Sequence, residues 1–133
     1  MRVLIIEDYA ILAMTIAEEL RDLGFENVSC ASNCAEAIKL AASECPDLIT
    51  ADHRLFGESG IDAVREICAA RPVPVVYIVA LPDEVQREVP DAVILAKPFT
   101  SAGLADAVER AMTAFHSESW SPLSRDGPTA KAT

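Results

Sequence analysis

The chain has 133 residues, 51% of them apolar, which is enough for one domain with a buried core. Its formal net charge of −10 repels nucleic-acid phosphates and anionic membranes. The longest apolar run, Val73 to Leu81, contains a proline and is too short to span a bilayer. The chain opens directly on a strand-like run with no signal peptide before it, so a cytoplasmic location is the default expectation.

In chain order, Arg2 to Ile6 reads as a buried strand that stops at Glu7 and Asp8. Leu12, Ile16, Leu20 and Leu23 then form a helical stripe, closed by Gly24 as a C-cap. Asn27 to Cys30 is a second, short strand. Asn33 is placed to N-cap a helix whose inner face is Ile38, Ala41 and Cys45, and Pro46 stops it. Asp47 to Ala51 is a third strand, with Asp52 at its end. A loop through Gly57 leads to a helix with Ile61, Val64 and Ile67 inward. Pro72 and Pro74 bracket the entry to the most apolar strand, Val75 to Val79. Leu81 to Pro90 holds a short helix at most, and Ala92 to Leu95 is the fifth strand. After Lys97, Pro98 and Phe99, a last helix carries Leu104, Val108, Ala111, Met112 and Phe115.

Five strands without polar alternation are expected to be buried on both faces, with helices as crossovers. That is an α/β fold: a flavodoxin-like, doubly wound, five-stranded parallel sheet of order 2-1-3-4-5 with helices on both faces. The domain is expected over residues 1–116. The remainder, 117–133, is rich in Ser, Pro and small residues and is expected to be disordered, although Trp120 could fold back. The four cysteines lack zinc-site spacing and read as small buried hydrophobes in a reducing compartment.

In open parallel sheets the site lies at the carboxyl ends of the strands. Glu7 and Asp8 follow strand one, Asp52 follows strand three and Lys97 follows strand five. Three carboxylates gathered there should raise one another's pKa and call for a counter-charge. A hard divalent cation such as Mg²⁺ supplies it, and a lysine is a compact partner for a phosphoryl oxygen. The set reads as a phosphoryl-transfer site.

The sequence of IIED, DLITAD, an apolar fourth strand and AKPF resembles the receiver domains of bacterial two-component systems, over about residues 2 to 115. The resemblance implies that Asp52 is the phosphoacceptor and that Lys97 pairs with the phosphoryl group. It implies that Asp8, Asp52 and the backbone carbonyl of Arg54 hold Mg²⁺, with Glu7 assisting directly or through water. A cis peptide before Pro98 is common in the family. SGIDAVREI is similar to receivers of the alphaproteobacterial general stress response. The implied partner is a sensor histidine kinase or a histidine phosphotransfer protein, with no nucleic acid and no membrane, and the chain is expected to be a monomer.

Two positions depart from the family. The strand-four Thr or Ser is Val79, with no Ser or Thr anywhere between Ser59 and Thr100, and the strand-five aromatic is Ile94. Phosphoryl chemistry should survive this, whereas rearrangement of strands four and five should be modest. A phosphorylation-independent binding module, a pseudo-receiver, is the alternative. An enzyme is not expected: an Asp-nucleophile phosphatase needs a general acid two residues after the nucleophile, and Arg54 stands there. His53 is read as a loop residue, Tyr77 as core and His116 as exposed.

Overall fold

A computed structural model describes residues 1–119. The strands are β1 (Arg2–Ile6), β2 (Asn27–Ala31), β3 (Leu48–Ala51), β4 (Arg54–Leu55), β5 (Glu58–Ser59), β6 (Val75–Val79) and β7 (Val93–Ala96). The helices are α1 (Ala10–Asp22), α2 (Cys34–Ser43), α3 (Gly60–Ala70), α4 (Pro82–Glu88) and α5 (Ser101–Ser119). The main sheet is parallel throughout, in the order β2-β1-β3-β6-β7. This is the expected 2-1-3-4-5 order; the additional β4 and β5 form a small antiparallel ribbon after Asp52.

Successive residues of a strand face opposite sides, and the core divides accordingly. Leu4, Ile6, Ile49, Ala51, Tyr77 and Val79 pack with α2, α3 and α4. Val3, Ile5, Leu48, Val76 and Ile78 pack with α1 and α5. Full burial of a residue such as Ile61 or Ile16 contributes roughly 1.5–3 kcal/mol, so these two apolar layers hold the strand ends in place.

Only the three central strands are buried along nearly their whole length. The expectation of five strands covered on both faces is corrected at the edges. In β2, Asn27 and Cys30 are exposed, and Val93 to Leu95 in β7 are half-buried. Each edge strand has a neighbour on one side alone.

Helix ends follow local chemistry. Asn33 caps α2 by accepting the Glu36 N–H at 2.8 Å, and Ser59 caps α3 by accepting that of Ile61 at 3.1 Å. Gly24, at φ +103°, ends α1. Its N–H bonds the Arg21 carbonyl and that of Phe25 bonds the Leu20 carbonyl, a Schellman closure. The chain reversal buries Phe25 in place of Leu23, which is exposed rather than part of the inner stripe.

Cys45 lies beyond the end of α2 and is exposed, because Pro46 ends the helix early. Cys30 is exposed too, and Cys34 and Cys68 are half-buried, so the cysteines are not the buried set expected. Tyr77 is core, and burial pushes its phenol up to about 12. The Lys97–Pro98 peptide is cis. Helix α5 runs to Ser119, three residues past the expected boundary, since no breaker precedes Pro122. Trp120 and the rest of the segment expected to be disordered lie outside the described residues.

Candidate functional site: an acidic pocket at the carboxyl ends of the strands

The register of the sheet assembles the pocket. The Asp52 N–H bonds the Ile6 carbonyl at 2.9 Å, and that of Glu7 bonds Ala31 at 2.9 Å. These bonds set the residues following β1 and β3 side by side. Lys97 arrives from β7, its N–H held by the Val79 carbonyl at 2.9 Å.

The side chains meet as the sequence spacing implied. Glu7, Asp8 and Asp52 each offer a carboxylate oxygen, and these oxygens lie within 4.8 Å of one another. Lys97 Nζ donates to Asp52 Oδ2 at 2.8 Å and to Glu7 Oε1 at 3.0 Å. The His53 N–H donates to Asp52 Oδ1 at 2.7 Å, that of Tyr9 to Glu7 Oε2 at 3.1 Å, and that of Phe56 to Asp8 Oδ2 at 3.3 Å. Glu7 is buried, whereas Asp8 and Asp52 are half-buried and open toward solvent. One ammonium among three carboxylates leaves uncompensated negative charge, and hard oxygen donors at this separation suit a small divalent cation.

The electrostatics follow from depth. Burial pushes the Glu7 carboxyl above the usual range, and the hydrogen bond from Lys97 opposes it. Repulsion by Asp52 also raises it but is a lesser cause, so the expected mutual repulsion is secondary at this residue. Burial works against the Lys97 ammonium, yet its hydrogen bonds to Asp52 and Glu7 outweigh that and hold its pKa above the ordinary lysine value.

The expected backbone ligand, the Arg54 carbonyl, belongs to the first residue of β4. The Arg54 side chain leads away from the carboxylates. Its Nε donates to Glu84 Oε1 on α4 at 3.0 Å, and Nη2 donates to Glu84 Oε2. His53 lies between Ser59 Oγ, at 2.9 Å from Nδ1, and Glu84 Oε1, at 3.7 Å from Nε2. At the positions where the family carries its hydroxyl and aromatic, Val79 is 1% exposed and Ile94 is half-buried, both in the apolar layer that holds Val85 of α4. His116 is exposed.

Two residues of this site escaped the sequence reading. Gly60 starts α3 where a Cβ would fall 1.7 Å from the Asp52 main-chain oxygen, so no other residue fits without moving Asp52. Glu84 was missed because its partners are thirty residues upstream, and nothing in helical periodicity marks a pairing across elements. Its position in the first turn of a short helix was the only available signal.

Residues 3–109 match the family model of the response regulator receiver domain. The transcriptional regulatory protein PdtaR of Mycobacterium tuberculosis is 38% identical over 118 residues, covering 86% of this chain and 58% of that protein. The phyllosphere-induced regulator PhyR of Methylorubrum extorquens is 37% identical, covering 83% of this chain and 43% of its own length. The chain thus spans about half the length of these relatives. The chemotaxis protein CheY of Pseudomonas aeruginosa is 30% identical, with 83% of this chain and 94% of CheY covered. Among solved structures, the receiver domain of the PhyR response regulator of Erythrobacter litoralis superposes with a TM-score of 0.78 at 33% identity, covering 84% of this chain and 89% of that one.

Proposed function

The chain belongs to the response regulator receiver family, and from that premise we propose that Asp52 accepts a phosphoryl group in a Mg²⁺-dependent step of two-component signalling. The observation that carries the proposal is the placement of the Asp52 carboxylate, 2.8 Å from Lys97 Nζ and within metal-sharing distance of Glu7 and Asp8.

In the proposed step a carboxylate oxygen of Asp52 attacks the phosphorus of a phosphohistidine. The P–N bond breaks, the imidazole leaves, and an acyl phosphate remains on Asp52. Main-chain N–H groups and Lys97 hold the carboxylate in place beforehand. As Asp52 gives up its charge to the new bond, Lys97 transfers its hydrogen bond to a phosphoryl oxygen. Glu7, Asp8, Asp52 and the Arg54 carbonyl would hold Mg²⁺, which neutralises charge on the phosphoryl oxygens when bound.

The donor is inferred to be a sensor histidine kinase or a histidine phosphotransfer protein. Tyr9 at the N-cap of α1, Ile11 and Met14 on that helix, and Phe56 beside Asp8 are 59%, 64%, 65% and 92% exposed. Large apolar side chains around a charged pocket suit a docking protein better than a free small molecule. The net charge of −10 argues against nucleic acid as a partner. Among the described residues no helix is long and apolar enough to cross a membrane. The domain is proposed to work by protein contacts or as a phosphate sink rather than as an enzyme, since Arg54 offers no general acid. The apolar packing of Val79 and Ile94 favours a second reading, a binding module indifferent to phosphorylation.

Acetyl phosphate with Mg²⁺ followed by intact mass separates the two. The expected result is one added phosphoryl mass on the natural protein and none on Asp52→Asn. No addition to the natural protein favours the binding module, and addition to Asp52→Asn refutes the assignment of the acceptor.

A further inference from the structure

We infer that Glu84 is a positioning residue that competes with the phosphoryl group for Arg54, so that phosphorylation passes to α4 by exchange of an ion pair. This inference rests on the proposed phosphorylation of Asp52.

In the structure the charge of Asp52 is already engaged by Lys97 and the His53 N–H. The Arg54 guanidinium is turned instead to Glu84, with two parallel hydrogen bonds to its carboxylate. Glu84 stands in the first turn of α4 beside Leu81, which is 53% exposed. Other ties of α4 include the buried Val85, the contact of Glu84 with His53 at 3.7 Å, and Arg65, which pairs with the Glu88 carboxylate at 3.6 Å and donates to its main-chain carbonyl at 3.3 Å. Glu84 is thus a polar link between the turn after Asp52 and the start of α4, hydrogen-bonded to Arg54 and, at 3.7 Å, facing His53.

That link is weak enough to exchange. The Arg54 side chain is 71% exposed, and ion pairs in solvent contribute little. Two residues span at most about 7 Å, a distance an arginine side chain covers, so Arg54 can reach a group on Asp52. A phosphoryl dianion is a better bidentate acceptor for guanidinium than a single carboxylate already shared with His53. Val79 offers no hydroxyl to the phosphoryl group, and Arg54, two residues from Asp52, is an exposed guanidinium donor near enough to serve instead. When Arg54 moves, Glu84 loses its principal partner and the first turn of α4 is released.

Linkage makes this testable: whatever the phosphoryl group must displace weakens its own binding. The probe is beryllofluoride with Mg²⁺, titrated against the amide resonances around Asp52 in four proteins: natural, Glu84→Gln, Arg54→Gln and the double variant. Glu84→Gln is expected to tighten binding several-fold and Arg54→Gln to weaken it. Adding Glu84→Gln to Arg54→Gln is expected to change nothing, because there is no guanidinium left to release. Equal tightening in both backgrounds would overturn the exchange, leaving Glu84 as a distant charge, and so would no tightening in the natural background. Failure of the natural protein to bind the probe at all would refute the phosphoryl reading itself, and the exchange with it.

Discussion

The carboxyl ends of β1 and β3 and the neighbouring β6–β7 region share one sheet and differ in kind. At the first, Glu7, Asp8 and Asp52 each accept a hydrogen bond from a main-chain N–H, and Lys97 joins two of them. At the second, Val79, Ile94 and Val85 meet in an apolar layer. On the proposed reading, the chemistry of accepting a phosphoryl group and the means of reporting it are therefore built from different residues. A chain can keep the first intact while the second changes character.

Substitutions at the two ends test that contrast. The largest effect is expected at Gly60, which the charged end cannot spare. Gly60→Ala places a Cβ 1.7 Å from the Asp52 main-chain oxygen, which must move, and should cost roughly 3 kcal/mol in chemical denaturation, while Ala63→Gly, on the same helix, costs about 1. Lys97→Ala comes next. It strands the buried Glu7 carboxylate, and the loss at neutral pH should be roughly 1–3 kcal/mol, tempered because the carboxyl can take up a proton. A stability unchanged by Lys97→Ala would show that the ammonium does not hold the pocket together.

Added Mg²⁺ should stabilise the natural protein by roughly 1–3 kcal/mol at saturation, read as a rise in Tm. Asp8→Asn should remove most of that rise; an undiminished rise would place the metal elsewhere. The smallest effect is expected inside β3, where the buried hydroxyl of Thr50 has no hydrogen-bond partner among the described residues. Thr50→Val should stabilise by about 1 kcal/mol, and a loss of that size would mean the hydroxyl is satisfied in solution.

The scaffold was legible in the sequence because its signals are local. Buried strands read as apolar runs, α3 as Ile61, Val64 and Ile67 at helical spacing, and Asn33 as a cap next to its helix. The charged pocket was legible because residues that follow the strands of a parallel sheet all leave at the same edge. What the sequence concealed depends on distances between elements. Leu23 fits the stripe of α1, yet the turn at Gly24 substitutes Phe25. Cys45 fits the face of α2, but the helix ends before it. The Arg54–Glu84 pair and the contact of Gly60 with Asp52 arise only once β3, α3 and α4 are placed. The exposure of the edge strands β2 and β7 is not legible either, because an apolar run does not reveal how many neighbours it will have.

The most direct test of the separation between chemistry and report is a map of amide shifts with and without beryllofluoride and Mg²⁺, on the natural protein and on Val79→Thr. Under that separation large changes are expected from Asp52 to Gly60, with a response at the first turn of α4 and small changes through Val93 to Ala96. Val79→Thr should enlarge the response in β6 and β7. Changes across Val93 to Ala96 in the natural protein as large as those beside Asp52 would contradict it.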